Sequence, residues 1–216
     1  MHWTLNEIQN CVAFNSQLFT KMFYICSEFQ MKKKAKIILD QDGLNRTVTR
    51  LCHQLVEHHG DFKNSCIIGI QHKGVWLTDR ILKRMASLYP HLKIVQGKLD
   101  ITFFRDDYRT GGKIPQASET DIEFLIENKK VILVDDVLYT GRTIQAALQA
   151  LQNFGRPASV ELLVLIDRRF NRHLPIQANY SGLKVDALDK AYVLVEWKEE
   201  GGHDRVLFYD AENPKS

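Results

Sequence analysis

The sequence predicts an α/β domain built on a mainly parallel central sheet flanked by helices. Short runs that are apolar at every position, such as Cys66-Ile67-Ile68-Gly69-Ile70 and Val131-Ile132-Leu133-Val134, alternate with segments whose apolar residues recur at helical spacing. Strands without polar alternation are those buried on both faces, as in a parallel sheet covered by helices. The second of these runs leads into two carboxylates, a Gly/Thr loop and a helix, the arrangement that puts ligands at the C-terminal ends of strands in open α/β sheets. The 216 residues, 44% hydrophobic and 25% charged, are enough for one substantial core.

Residues 1–30 stand apart. They are rich in Phe, Asn, Cys and Gln, lack periodicity, and precede Met31 and Lys32-Lys33-Lys34. They are expected either to lie ahead of the true translational start at Met31 or to form an N-terminal arm, leaving 31–216 as a single domain. From 43 to 59 the apolar residues Leu44, Val48, Leu51 and Leu55 form one helical stripe, with Arg46, Thr49, Arg50 and His53 facing away from it. Residues 66–70 follow as a buried strand, and 75–88 as a helix stopped at Pro90.

Further strands are expected at 93–95, 99–104, 131–134, 160–166 and 191–195. A helix over 143–154 buries Ile144, Ala147, Leu148 and Leu151 and ends at Gly155 with Pro157 beyond. The stretch 105–119, rich in Asp, Gly and Thr, reads as a long mobile loop and a candidate lid.

Several function classes drop out. A net charge of +3 does not by itself indicate a nucleic-acid binder. Cys11, Cys26, Cys52 and Cys66 show no CxxC spacing, so reduced thiols in a cytoplasmic protein are expected. The apolar run 18–29 is short and interrupted by Lys21 and Glu28, and Glu7 with no basic segment argues against a signal peptide. No membrane partner is expected. His53, His58 and His59 lack the Asp, Glu or Cys spacing of a metal site and are expected at the surface.

The chemistry concentrates in residues 131–143. Gly141 permits close backbone approach to an anion, while N–H groups at the helix start and the hydroxyls of Thr140 and Thr143 supply phosphate donors. Asp135 and Asp136 would repel a phosphate unless they served ribose hydroxyls or a hydrated magnesium ion. Residues 69–74 have GxxxxG spacing, but Val75-Trp76 follows instead of Lys-Ser/Thr, which excludes a P-loop nucleotidase.

Asp135-Asp136-Val137-Leu138-Tyr139-Thr140-Gly141-Arg142-Thr143 resembles the phosphoribosyl pyrophosphate (PRPP) motif of type I phosphoribosyltransferases, and in particular that of the PyrR family of pyrimidine operon regulators and uracil phosphoribosyltransferases. The similarity runs from about Lys34 to Asp210. It includes Leu99-Asp100-Ile101-Thr102 with Arg105-Asp106-Asp107, Gly155-Arg156-Pro157 and Leu174-Pro175-Ile176.

The resemblance implies the type I fold with a small hood, Mg2+, a homodimer or higher homo-oligomer, and conversion of uracil and PRPP to UMP and pyrophosphate. Asp135 and Asp136 would hold ribose hydroxyls and orient the metal indirectly, through ribose or water. Val137, Leu138, Tyr139, Thr140, Gly141, Arg142 and Thr143 would bind PRPP, and His72, Lys73 and Gly74 its pyrophosphate. Arg105 would belong to the closing loop, and Arg168, just past a strand ending at Ile166-Asp167, to the base-binding hood.

Lys73 stands where the family has an arginine, and lysine lacks the bidentate fork. The family's regulators also bind a leader mRNA, which here would meet Thr49, Arg50, His53 and Arg172. His58, Gln177 and Leu183 replace basic residues on that surface, which weakens phosphate contacts. An RNA-binding regulator with vestigial catalysis and a purine phosphoribosyltransferase remain as alternatives.

Overall fold

A computed structural model describes residues 35–105, 119–187 and 191–210. Residues 1–30, Asp106, Asp107 and most of the expected lid lie outside them. All described residues except Ala35 fall in one compact unit, Lys36–Ala211.

Five parallel strands, β2 (Ser65–Ile70), β3 (Val95–Leu99), β4 (Lys130–Leu138), β5 (Ser159–Arg169) and β6 (Tyr180–Asp186), form the main sheet in the order β3-β2-β4-β5-β6. The crossover helices are α2 (Lys73–Leu88) and α3 (Arg142–Leu151), and α1 (Gln41–His59) precedes β2. Successive strand residues point to opposite faces, which divides the core in two. Ile67, Ile132, Val134, Leu163 and Leu165 pack with α1 and α2, while Cys66, Ile68, Val131, Leu133, Leu162 and Val164 pack with α3. Both carboxylates therefore sit at the end of a strand that is apolar on either side.

A second sheet, β1-β8-β7, joins β1 (Ala35–Leu39), β7 (Tyr192–Glu196) and β8 (Arg205–Tyr209). Val195, Trp197 and Val206 anchor it in the α1/α2 core. Arg80 fixes its turn, donating to Glu199 Oε1 at 2.7 Å, to Glu199 Oε2 at 2.9 Å and to Asp204 at 2.7 Å. Its guanidinium stacks 4.4 Å from the Trp197 ring.

Several expected elements shift, β4 and β5 among them, which run on to Leu138 and Arg169. Helix α1 begins two residues early, because Asp40 caps it by accepting from the Gly43 N–H at 2.7 Å. One edge strand, β3, replaces the two expected at 93–95 and 99–104, and 102–104 is a single 3-10 turn. The helix expected over 143–154 ends as a 3-10 turn at 152–154. Strands β1, β6 and β8 were not expected. Strand β6 is an edge strand with mostly half-buried residues, and Gly182 lets it lie against Leu165 and Thr47.

His59 also departs from expectation. Its side chain is only 1% exposed. Helix α1 carries it over the sheet, where it meets Ser65 Oγ at 2.9 Å, Tyr180 Oη at 3.1 Å and Glu161 at 3.2 Å. Burial lowers its pKa, partly opposed by Glu161.

Candidate active site

The site is assembled at the C-terminal ends of β2 and β4. Helix α2 can start hard against β4 only because residue 74 is glycine. A Cβ there would lie 3.1 Å from the Val134 carbonyl carbon, 3.2 Å from Asp135 Cα and closer still to the Val134 oxygen. This approach holds His72 and Lys73 beside the aspartates. On the other side, Gly141 turns the chain into α3 with φ +93°, a left-handed conformation that side chains disfavour.

Two adjoining cavities result. One, of about 210 Å³, is lined by Arg105, Asp135 and the loop from Val137 through Thr143 to Ile144. The other, of about 310 Å³, is lined by Gln71, His72, Lys73, Asp100, Thr102, Asp136 and others. Arg105, Asp135, Val137 and Thr143 line both. The residues expected for catalysis, for the phosphoribosyl group and for pyrophosphate thus converge, with Gly74 as the hinge of the close approach.

Electrostatically the two carboxylates are strained. Burial, reinforced by the neighbouring Asp136 charge, pushes the Asp135 carboxyl well above the usual range, and Arg105 opposes this. Burial also raises Asp136, with Lys73 pulling it down. The Asp136 N–H donates to Asp135 Oδ1 at 2.9 Å. Such a pair is short of positive charge and of hydrogen-bond donors, which makes it a receptor for hydroxyls or for a cation.

The loop from Val137 to Thr143 is braced from behind. Arg168 lies within β5 rather than after it, and is only 6% exposed because its guanidinium sits 3.8 Å from the Tyr139 ring centroid. One nitrogen donates to Ala191 O at 2.8 Å, while Nε has no partner among the described residues. Arg172 points inward too. One nitrogen donates to the Tyr139 carbonyl of this loop and another to Asp167 of β5 at 2.6 Å, so the side chain ties the loop to the strand. The His173 N–H donates to Thr140 O at 3.0 Å. This bracing was not legible in sequence, since it joins β4 to a segment about thirty residues later.

Lys73 has unexpected company. Its ammonium donates to Val195 O at 2.8 Å and pairs with Glu200 at 3.3 Å. Val195 belongs to β7 of the small sheet and Glu200 to the 3-10 turn that follows it, whose position the sequence did not reveal.

The second predicted face is separate. Thr49, Arg50 and His53 line a groove on α1 with Arg46, Gln54 and Arg84. Arg50 also reaches across to the Gly182 and Ser181 carbonyls of β6, and His53 meets Tyr89 Oη at 2.6 Å. Among the described residues no helix is long and apolar enough to cross a membrane.

Comparison with known proteins agrees with this geometry. Residues 34–200 match the phosphoribosyl transferase domain. The chain is 45% identical over 175 residues to the bifunctional protein PyrR of Endomicrobium trichonymphae, covering 80% of this chain and 97% of that protein. It is 40% identical over 182 residues to the bifunctional protein PyrR of Bacillus cereus strain AH820, covering 83% and 99%. Among solved structures, a hypoxanthine phosphoribosyltransferase from Staphylococcus aureus superposes with TM-score 0.62 at 21% identity, covering 84% of this chain and 94% of that one. That of Trypanosoma cruzi gives 0.62 at 16%, covering 82% and 97%.

Proposed function

Since the chain belongs to the PyrR family of phosphoribosyltransferase-domain proteins, we propose that it is a cytoplasmic uracil phosphoribosyltransferase, converting uracil and PRPP to UMP and pyrophosphate. The observation that carries this reading is the Asp135/Asp136 pair, the first buried and the second half-buried, set between Lys73 and a loop that enters its helix through Gly141.

The ring nitrogen of uracil attacks the sugar carbon as pyrophosphate leaves, and positive charge builds on the sugar while negative charge builds on the leaving group. Asp135 and Asp136 accept hydrogen bonds from the ribose hydroxyls and offset the sugar's charge. Backbone N–H groups at the start of α3 and the Thr140 and Thr143 hydroxyls hold the 5-phosphate. Lys73 and Arg105 face the pyrophosphate. No covalent nucleophile takes part.

The donor set fits Mg2+ only as an ion shared with the substrate. No cluster of three or more His, Cys, Asp or Glu among the described residues could hold a metal alone, whereas magnesium is commonly held by one or two carboxylates plus phosphate oxygens. Bound there, it supplies Lewis acidity to the leaving group. The structural likeness to hypoxanthine enzymes, under 25% identical, supports the fold and not a purine substrate.

A second activity rests on the α1 groove. Arg46, Arg50 and Arg84 around Thr49 and His53 present cationic and hydroxyl groups of the kind that meet RNA phosphates and unstacked bases, which supports a UMP-dependent leader-mRNA regulator. The first test is conversion of labelled uracil and PRPP to UMP with magnesium, beside Asp135→Asn. UMP formation lost in the variant supports the reading. A wild type that forms none moves the function to RNA binding.

A further inference from the structure

Lys73 is one of two cations, with Arg105, on the pyrophosphate side, yet a carboxylate already stands beside it. It lines the cavity with Asp136 on one side. On the other, it donates to Val195 O at 2.8 Å and pairs with Glu200 at 3.3 Å. Glu200 itself does not line that cavity. It ends the 3-10 turn Lys198–Glu200, which Arg80 clamps through Glu199 and Asp204. The carboxylate is therefore delivered to the lysine from behind by a rigidly held turn.

We propose that Glu200 is a positioning residue that offsets the charge of Lys73 and so keeps the site's affinity for the pyrophosphate group low. This rests on the assignment of Lys73 to the pyrophosphate side. Position and charge have separate sources. The uncharged Val195 O accepts from the ammonium independently of Glu200, so removing the Glu200 charge leaves Lys73 in place and more positive in its effect. An incoming pyrophosphate then meets a lysine without a competing carboxylate. In the native site that competition favours departure of pyrophosphate after transfer.

The pair is partly exposed, at 29% for Lys73 and 42% for Glu200, so the effect is modest and sensitive to salt.

The test is calorimetric binding of inorganic pyrophosphate with magnesium to the full chain, comparing wild type, Glu200→Gln and Glu200→Asp, alongside PRPP KM and kcat. Glu200→Gln is expected to bind pyrophosphate about two- to fivefold tighter and to lower the PRPP KM similarly. The gain should shrink at high salt, and Glu200→Asp should return toward wild type. Unchanged or weaker pyrophosphate binding by a folded Glu200→Gln protein overturns the proposal and leaves Glu200 a structural residue.

If wild type makes no UMP but the tightening appears, the enzyme assignment fails and this inference stands. If UMP forms and pyrophosphate affinity does not move, the reverse holds. No pyrophosphate binding by any of the three overturns this inference, and the enzyme assignment then stands or falls on UMP formation alone.

Discussion

Replacing Gly74 with alanine tests whether the active site depends on the close approach of α2 to β4. The new Cβ would stand 3.1 Å from the Val134 carbonyl carbon and 3.2 Å from Asp135 Cα, and would overlap the Val134 oxygen outright. All three are backbone atoms, so no side chain can swing aside. The start of α2 must back away by about 1 Å, the usual outcome of overpacking, at a cost of about 1–3 kcal/mol.

That shift carries His72 and Lys73 away from Asp135 and Asp136. A displacement of about 1 Å between groups that share one substrate costs about a hundredfold in turnover. Gly182→Ala, on β6 with β5 between it and the carboxylate strand, is the control, since its Cβ would crowd Leu165 O and lie 2.8 Å from Thr47 Cγ2. Both variants should lose stability in urea unfolding, but only Gly74→Ala should lose UMP formation per folded molecule. A Gly74→Ala protein that keeps turnover within about threefold of wild type would falsify the account of how the two halves of the site are held together.

Three further outcomes follow. Asp135→Asn should unfold at a higher temperature than wild type at pH 7, by the few degrees that about 1 kcal/mol produces in a chain of this size. The wild-type carboxyl is buried beside Asp136 with its pKa raised, so its ionisation disfavours the fold, and an unchanged or lower melting temperature would contradict that cost. Arg168→Met should raise the PRPP KM and destabilise by about 1–3 kcal/mol, through loss of the Tyr139 stack and the bond to Ala191 O; an unaltered KM would show that the loop needs no bracing.

His59→Gln addresses pH. Burial lowers the folded pKa of His59 below 6.5, so the unfolded chain takes up its proton first and stability falls as pH drops from 6.5 toward the folded value. The raised aspartates contribute with opposite sign, so the quantity to measure is the wild-type minus His59→Gln difference in unfolding free energy. It should narrow below pH 6.5, and a constant difference would exclude His59 as the titrating group.

Local pattern accounts for what was legible in the sequence. The buried strands β2 and β4 read as apolar runs and β5 as one broken only by Glu161, and α1 to α3 as periodic stripes, because each pattern reflects what the element packs against. The candidate site was legible where one strand-loop-helix segment carries most of it, from Asp135 to Thr143. Edge strands gave no such signal. β6 mixes Gly182, Lys184 and half-buried residues, and β3 is interrupted by Gly97 and exposed at three of five positions. His59 misled because nothing in its neighbourhood along the chain announces Glu161 and Tyr180, which reach it across the sheet.

The small sheet shows why this matters for function. Its strands β1, β7 and β8 come from both ends of the described chain, so no local window contains it. Yet it and the turn between two of its strands supply the partners of Lys73, the position at which the resemblance leads one to expect an arginine. An arginine there would meet a pyrophosphate through a planar fork, whereas a lysine is a point charge on a flexible stem. A flexible stem needs an anchor to hold a fixed place, and Val195 O provides it. A point charge is readily offset by one carboxylate, and Glu200 stands within reach. The substitution and its surroundings thus form one unit, so changing Lys73 to arginine alone should not restore the family's site. Its larger guanidinium would meet the same carboxylate, and pyrophosphate affinity should rise in Lys73→Arg only when Glu200→Gln accompanies it.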